Sequence, residues 1–375
     1  MKQTGLYIHI PFCASKCAYC DFYSFKATEE LMDSYVTAAI NELQKYRGIK
    51  ADTLYIGGGT PTLLGAKRVE RLLKAVSAFG PFSEATIEAN PADDIYDTLS
   101  AAASGGINRL SLGVQTAAYN ELQLLSRRHC NKDVQKTFAA ARKAGIENIS
   151  ADVMLAIPSQ TAASLAETLS FVTALSPKHI SAYLLKLEQG TPLYNMKNML
   201  SLPNPDTAAE LYLQCCNTLE DNGYKQYEIS NFAKDGFYSR HNMNYWKCGE
   251  YIGIGPAAHG FLNGRRYYYK SDINEFINGG GPVFEDVGGT AEEYLMLGLR
   301  TADGISVEEY CNMALREQKN DIDDCGSSAL DKDGLLKFAA ELSKNGMATF
   351  ENGVLKLTKS GFLVSNEIIS RCLEY

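Results

Sequence analysis

The stretch of sequence that decides the fold is Tyr7-Ile-His-Ile-Pro-Phe-Cys13-Ala-Ser-Lys-Cys17-Ala-Tyr-Cys20. Its cysteines follow a C-x3-C-x2-C spacing, which brings three thiolates into one short loop. Three thiolates can hold a [4Fe–4S] cluster and leave its fourth iron open to another ligand. The spacing therefore indicates an iron–sulfur cluster with one open coordination position.

Two other uses of these cysteines stay open at this point. A zinc ion could be held by the three thiolates with His9 or a distant side chain, although structural zinc usually pairs one C-x2-4-C unit with a second, which the sequence does not offer. Disulfides are less favoured, because we expect no secretory leader. The remaining seven cysteines stand at positions 130, 215, 216, 248, 311, 325 and 372. We interpret them as small buried apolar side chains.

Charge and hydropathy exclude several classes of partner. The 375 residues contain 36 Lys+Arg and 44 Asp+Glu, a net charge of −8, which argues against nucleic acid or an anionic membrane surface as a general partner. No run approaches the roughly 18 apolar residues that a membrane-spanning helix needs. We therefore expect a cytoplasmic protein, in a compartment that suits reduced thiols.

Short apolar runs alternate with amphipathic helical patterns along the first 230 residues. The predicted strands are 6–10, 53–57, 85–89, 109–114, 149–155 and 179–185. A first helix begins after Thr28, and further helices are predicted at about 65–78, 93–104, 131–144, 161–175 and 206–222. Six consecutive strand–helix units predict a parallel sheet with right-handed crossovers. Because six units fall short of a closed eight-unit barrel, we predict an α/β fold built as an open (β/α)6 three-quarter barrel.

Glycine or polar residues stand at the carboxyl ends of these strands, where parallel barrels gather their chemistry. They are the cysteine loop, Gly57-Gly58-Gly59-Thr60-Pro61, Glu88 and Gln115, with Asp152 near the end of the fifth strand. Glycines let the backbone approach a ligand closely, although the same residues could make only a tight turn. The agreement of several strand ends predicts a binding site at this edge of the sheet.

The stretch from Tyr7 to Cys20 resembles the opening of radical S-adenosylmethionine (SAM) proteins of the coproporphyrinogen oxidase group. The resemblance implies a three-quarter barrel and a [4Fe–4S] cluster held by Cys13, Cys17 and Cys20, with SAM on the open iron. It also implies that an electron from the cluster, supplied by a donor such as flavodoxin or ferredoxin, could cleave SAM to a 5′-deoxyadenosyl radical.

The same resemblance assigns the SAM contacts position by position. They are Tyr7, Gly58, Gly59, Thr60, Glu88, Gln115, Arg127 and Asp152. SAM carries an ammonium, a carboxylate and ribose hydroxyls, for which carboxylates, an amide and a guanidinium are suitable partners. Arg127 has competing cations in Arg128 and His129, and a solvated basic turn is the alternative reading there.

Two branches of that group are distinguished by residues near the loop. Oxygen-independent coproporphyrinogen III oxidases carry a further cysteine two residues after the third ligand, where this chain has Phe22, and a long extension ahead of the first strand. Both differences favour the HemW-type heme chaperones. His241-Asn-Met-Asn-Tyr245-Trp246 matches their H-N-x-x-Y-W signature, which implies heme binding by His241; a neutral imidazole is a competent iron ligand.

We therefore expect a heme chaperone that binds the cluster, SAM and heme, and that transfers heme to an acceptor protein, through which any peripheral association with a membrane would occur. The first alternative is an oxygen-independent coproporphyrinogen III oxidase or another tetrapyrrole-directed radical SAM enzyme. The second is a zinc-stabilised barrel without redox function.

The pattern changes from about residue 288. Two helical stretches, a third helix at Gly334–Asn345, a hairpin that turns at Asn352-Gly353 and a final helix predict a small winged-helix-like domain. Residues 290–375 hold 9 Lys+Arg against 15 Asp+Glu, so this domain is not expected to bind nucleic acid. The predicted organisation is a partial barrel at 1–230, a connecting region with the H-N-x-x-Y-W motif at 231–287, and the small domain at 288–375.

Overall fold

A computed structural model describes residues 4–92, 94–320 and 330–375, without the side chains at positions 319 and 320. The first residue of the helix predicted at 93–104 and the cysteine at 325 lie outside the described residues.

Six parallel strands form the centre of the sheet. They are β1 (Gly5–Ile10), β2 (Thr53–Gly58), β3 (Glu84–Ala89), β4 (Arg109–Gln115), β5 (Asn148–Leu155) and β6 (His179–Leu184). Each strand pairs in parallel with the next along the chain. The helices between them are α1 (Glu29–Gln44), α2 (Gly65–Val76), α3 (Tyr96–Ser104), α4 (Tyr119–Leu124), α5 (Asn131–Lys143) and α6 (Ala162–Ala174). The open arrangement of α/β units is confirmed.

The first strand and helix show how the sequence directs this architecture. Alternation along β1 buries Leu6, Ile8 and Ile10 completely on one face and turns Tyr7 and His9 to the other. The side chain of Thr28 caps α1 by accepting a 3.3 Å hydrogen bond from Leu31 N–H, and Glu29 and Glu30 suit the positive end of the helix dipole. The apolar core therefore lies between strands and helices, and polar groups face the barrel interior.

The sheet continues beyond both ends of the six strands. At one end β8 (Asn231–Ala233) pairs antiparallel with β6 and with the two-residue strand β7 (Lys225–Gln226). At the other end β9 (Tyr251–Ile254) pairs in parallel with β1, followed outward by β10 (His259–Leu262), β11 (Arg265–Tyr268) and β12 (Val283–Val287). The described residues thus form a sheet of twelve strands. The helices of this part are α7 (Pro192–Asn195), α8 (Pro205–Asp221), α9 (Arg240–Trp246) and α10 (Ile273–Ile277).

The C-terminal part contains a separate small sheet. Its elements are α11 (Ala291–Gly298), β13 (Ile305–Ser306), α12 (Val307–Asn320), α13 (Lys332–Lys344), β14 (Ala348–Glu351), β15 (Val354–Leu357), α14 (Lys359–Leu363) and α15 (Ser365–Cys372). The predicted hairpin is present, and Asn352 and Gly353 both have positive φ at its turn. The winged-helix-like arrangement and the three domain boundaries stay predictions.

The C-terminal part is joined to the barrel by backbone hydrogen bonds. Ile229 N–H donates to Arg300 O and Ala302 N–H donates to Tyr227 O, each at 2.9 Å. The buried Glu228 lies between these two bonds. These bonds tie the segment before β8 to the turn after α11.

The cysteines outside the N-terminal loop differ in their exposure. Cys215, Cys216, Cys311 and Cys372 are buried as expected. The same interpretation is wrong for Cys130, which is exposed at the start of α5, and for Cys248, which is half-buried after α9. Among the described helices, none is both long and apolar enough to cross a membrane.

Candidate functional site

The cysteine loop leaves the carboxyl end of β1 and returns to α1. Phe25 N–H donates to Pro11 O and Cys13 N–H donates to Phe25 O, each at 3.0 Å, so the two ends of the loop are paired. Near its middle, Ala18 N–H donates to Leu125 O and Ala18 O accepts from Leu193 N–H. The loop is thereby fixed at the mouth of the barrel.

The three thiols are half-buried on this loop. Burial raises the pKa of the Cys17 and Cys20 thiols, and the neighbouring thiols raise it further. For Cys17 the charge of Arg127 offsets part of this rise in pKa. In the part of the chain that the structure describes, no three His, Cys, Asp or Glu side chains converge as ligands of a single metal ion. Thiolates are the ligands of iron–sulfur clusters, whose irons take one cysteine each, so the donor set fits such a cluster.

The glycine turn after β2 lies directly against the cysteine loop. A Cβ atom on Gly58 would come 2.5 Å from the His9 ring, and one on Gly59 would come 2.5 Å from Phe12 O. Gly59 N–H donates to Ile10 O and Thr60 N–H donates to Phe12 O, each at 2.7 Å. The glycines are therefore needed for the close approach of two backbone segments, and Thr60 Oγ1 comes within 3.6 Å of Cys13 Sγ.

Two half-buried carboxyl groups face the barrel interior. Glu88 accepts hydrogen bonds from Tyr55 Oη at 2.7 Å and from Gly58 N–H at 3.0 Å, and burial raises its pKa against these bonds. Asp152 accepts from Ser111 Oγ at 3.1 Å. Burial, together with the negative charge of Glu88, raises the pKa of Asp152 to about 7. Two neighbouring acids of raised pKa can bind hydroxyl or ammonium donors from a ligand.

Arg127 and Gln115 meet around the next strand end. Arg127 donates to Asn90 Oδ1 and to Tyr19 Oη, and Gln115 Oε1 accepts from Tyr183 Oη at 2.8 Å. Arg127 is half-buried, whereas the neighbouring Arg128 is exposed. The hydrogen bonds hold the Arg127 guanidinium among ordered polar side chains.

Two open cavities flank the cysteine loop. The first, of about 560 Å³, is lined by Cys17, Thr60, Asn90, Arg127, Arg128 and His129 among others, and we call it cavity one. The second, of about 730 Å³, is called cavity two and is lined by Tyr7, His9, Lys16, Asp21, Phe22, Tyr23, Tyr55, Gly58, Glu88, His241, Asn242, Tyr245, Tyr251, Ala257, His259 and Ser271.

The residues predicted to contact SAM are divided between these cavities. Tyr7, Gly58 and Glu88 line cavity two, and Thr60 and Arg127 line cavity one. The remaining three line neither cavity: Gly59 follows β2, Gln115 ends β4, and Asp152 lies within β5, three residues before its carboxyl end. All eight lie on β1, β2, β3, β4 and β5 or on the segments that follow them.

His241 lies at the floor of the barrel. Glu84, at the start of β3, accepts hydrogen bonds from the N–H groups of Arg240 and His241, each at 3.0 Å, and so fixes the first turn of α9. The His241 ring is fully buried, with Nδ1 2.8 Å from Thr53 Oγ1 and Nε2 2.7 Å from Tyr245 Oη. Burial lowers the pKa of His241 to about 3, so its ring is neutral at pH 7.

The two aromatic residues at the end of the motif, Tyr245 and Trp246, differ in whether they line cavity two. Tyr245 lines cavity two, and the Tyr55 ring stacks on His241 with centroids 5.3 Å apart. Trp246 is half-buried and is not one of the residues that line this cavity. Of the two aromatic residues that end the motif, Tyr245 is therefore the one that lines the cavity.

Sequence reasoning missed several residues of this region. His9, considered only as a zinc ligand, has Nδ1 2.9 Å from Tyr7 Oη and Nε2 3.0 Å from Tyr23 O, and thus connects β1 to the cysteine loop. The buried Arg109 begins β4, and its charge partly offsets the rise in the pKa of both Glu88 and Asp152. An arginine at the start of β4, whose residues are all buried, was the available signal for a group facing the interior.

Comparisons with known proteins identify the family of this chain. Residues 7–172 match the model of the Radical SAM superfamily. The chain is 37% identical over 322 residues to the heme chaperone HemW of Lactococcus lactis, covering 83% of this chain and 85% of that protein. The chain belongs to the HemW family of radical SAM proteins. It is also 34% identical over 386 residues to the Bacillus subtilis heme chaperone HemW, covering 98% of each chain.

A solved structure supports the fold. The coproporphyrinogen III oxidase HemN from Escherichia coli, described as a radical SAM enzyme, superposes with a TM-score of 0.79 at 21% identity, over 99% of this chain and 90% of that chain. Membership of the HemW family and of the radical SAM superfamily implies a [4Fe–4S] cluster and SAM.

Proposed function

We propose that the protein is a heme chaperone that binds a [4Fe–4S] cluster, SAM and heme and transfers heme to an acceptor protein in the cytoplasm. The relatives from Lactococcus lactis and Bacillus subtilis are named heme chaperones. The observation that carries the proposal for this chain is the chemistry of cavity two.

Cavity two suits a flat macrocycle. Its volume of about 730 Å³ lies within the range of roughly 300–1,000 Å³ that is usual for small-molecule sites. Aromatic rings line it, including Tyr7, Tyr55, Tyr245 and Tyr251, and Phe22 is 62% exposed at its edge. Aromatic rings offer flat apolar faces to a porphyrin, and tyrosine hydroxyls offer polar contacts at the periphery.

The proposed binding sites of the cluster and SAM lie at the mouth of the barrel. Cys13, Cys17 and Cys20 would hold the cluster, and a bound cluster would supply the electron for reductive cleavage of SAM. The contacts to SAM are Tyr7, Gly58, Gly59, Thr60, Glu88, Gln115, Arg127 and Asp152. The carboxylates of Glu88 and Asp152 suit the ammonium and hydroxyl groups of SAM, and the Arg127 guanidinium suits its carboxylate. A flavodoxin or ferredoxin is the proposed electron donor if SAM is cleaved.

His241 is the proposed heme-binding residue of the motif. Its ring is neutral, as iron ligation requires, but both nitrogens are hydrogen-bonded, to Thr53 and Tyr245. Direct ligation through Nε2 needs release of the Tyr245 hydrogen bond. We expect His241→Ala to change the absorption spectrum of bound heme and to speed its loss, while the cluster and SAM signals persist.

The experiment that tests the function uses one anaerobically reconstituted sample. Heme transfer to apomyoglobin is followed by absorbance, and coproporphyrinogen III consumption is followed in parallel with SAM and a reductant. We expect stoichiometric heme binding, transfer of heme, and no decarboxylation, because Phe22 stands where the oxidases have their extra cysteine. Turnover of coproporphyrinogen would favour the oxidase instead, and absence of heme binding would refute the chaperone.

A further inference from the structure

We propose that His259 is an axial ligand of heme iron on the outer wall of cavity two, distinct from the buried His241. The inference rests on the proposed function, because it names a second residue, beside His241, that would meet the iron in that cavity. His259 stands in the segment Tyr251-Ile-Gly-Ile-Gly-Pro-Ala-Ala-His259-Gly, to which sequence reasoning gave no role.

The three imidazoles that line cavity two differ in their accessibility. His9 and His241 are buried, and hydrogen bonds occupy both ring nitrogens of each. His259 is exposed, and its ring nitrogens make no hydrogen bond to any residue that the structure describes. An iron atom that enters the cavity can therefore bind a nitrogen of His259 without breaking an existing hydrogen bond.

The backbone holds His259 firmly at this wall. His259 is the first residue of β10, and it pairs with Tyr268 of β11, whose ring lies 5.7 Å from the imidazole. Gly253 permits the close packing of β9 on this position, since a Cβ there would come 1.7 Å from His259 O. The preceding turn is closed by a 2.9 Å hydrogen bond from Ala258 N–H to Gly255 O. A ligand carried on a paired strand needs little reorganisation to bind iron.

The neighbours of His259 in cavity two complement the rest of a heme molecule. Phe22 presents an exposed ring that can cover part of the porphyrin face. Lys16 is exposed on the same loop, where its Nζ donates to Phe22 O at 3.1 Å, and can turn to pair with a propionate. An exposed imidazole beside an apolar ring and a cation is a suitable set for iron, macrocycle and carboxylate together.

This placement also suits a protein that releases its cargo. A ligand at the surface can be exchanged for a ligand of an acceptor protein while the rest of the heme remains in the cavity. The buried His241 offers no such access in this conformation, because Tyr245 and Thr53 occupy its nitrogens.

The test uses the full-length protein with its cluster reconstituted, titrated with ferric heme and measured as difference absorbance against the same sample without heme. We expect His259→Ala to shift the Soret band and to release heme to apomyoglobin about tenfold faster, since ligand changes act mainly on the off-rate. Added imidazole should restore the original band. Asp206→Ala, on the exposed first turn of α8 and outside the lining of cavity two, is the control and should leave spectrum and release rate unchanged.

His259→Met gives a second, independent readout, because a thioether ligand produces a heme spectrum distinct from that of an imidazole. Identical heme spectra and release rates in wild type, His259→Ala and His259→Met would overturn this inference and leave the proposed function standing. Failure of the wild type itself to bind heme stoichiometrically would overturn both.

Discussion

Tyr55 donates a 2.7 Å hydrogen bond to Glu88, and the same tyrosine ring stacks on His241. One side chain of β2 thus contacts both a carboxyl group proposed to bind SAM and the histidine proposed to bind heme. The two proposed ligands share a wall of the barrel, so variants must be assayed for both.

The cluster assignment is tested by removing single thiols. Cys17→Ala should abolish the broad iron–sulfur absorbance of reconstituted protein, because three thiolates are needed to retain the cluster. Cys130→Ala is the control, since Cys130 is exposed at the start of α5. Equal loss of iron and sulfide in both variants would contradict the assignment.

The carboxyl groups of the barrel interior are tested by SAM affinity. Glu88→Ala and Asp152→Ala should each weaken SAM binding roughly ten- to hundredfold, the effect of losing a charged hydrogen-bond partner. Isothermal titration calorimetry on reconstituted protein measures this change, and the cluster absorbance should persist. Asp206→Ala, on the exposed first turn of α8, is the matched control. Unchanged affinity in both interior variants would refute their role.

The pKa of Asp152 predicts opposite pH trends for stability and binding. The folded-state pKa of about 7 exceeds the ordinary value of 3.8. The folded protein therefore holds this proton more tightly than the unfolded chain, and the resulting stabilisation is complete below the unfolded-state pKa and is lost as pH rises through the folded-state pKa.

Urea unfolding of ligand-free protein across this window checks the sign. The free energy of unfolding of the wild type, relative to Asp152→Asn, should fall as pH rises from about 4 to about 7. SAM affinity should rise over the same range, because the ionised carboxylate is the better acceptor. A constant difference between wild type and variant would contradict the raised pKa.

The glycine turn is tested by adding a side chain where two backbone segments meet. Gly59→Ala places a Cβ 2.5 Å from Phe12 O and 2.9 Å from Ile10 O, both rigid backbone atoms. We expect a lower melting temperature by several degrees, corresponding to about 1–3 kcal/mol of overpacking, and weaker cluster retention. Gly281→Ala, where no atom lies within 4 Å of the added Cβ, should behave as wild type.

The parallel centre of the sheet was predictable because each strand and its helix are neighbours in sequence. The pattern at 53–57, for example, matches β2 (Thr53–Gly58) within one residue. The strand β9 was not predicted, since Tyr251–Ile254 is only four residues long and pairs with β1, far away in the chain. Periodicity within a short window carries no information about such long-range pairing.

The candidate site likewise contains residues that the sequence pointed to and residues whose surroundings it could not predict. Cysteine spacing and strand ends were enough to propose Cys13, Glu88 and Asp152 as candidates, because those signals are local. The environment of His241 was not predictable, since its hydrogen bond to Thr53 joins residues 188 positions apart. His259 is exposed and His241 is buried, and the sequence alone does not show that difference.

The bonds from Ile229 to Arg300 and from Ala302 to Tyr227 bear on how shorter versions of the chain would behave. A fragment that ends near residue 287 would lose both partners and leave unpaired peptide groups beside β8. Exposed peptide edges recruit strands from other molecules. Such a fragment should form soluble aggregates in size-exclusion chromatography, so the cofactor chemistry is best studied on the whole polypeptide.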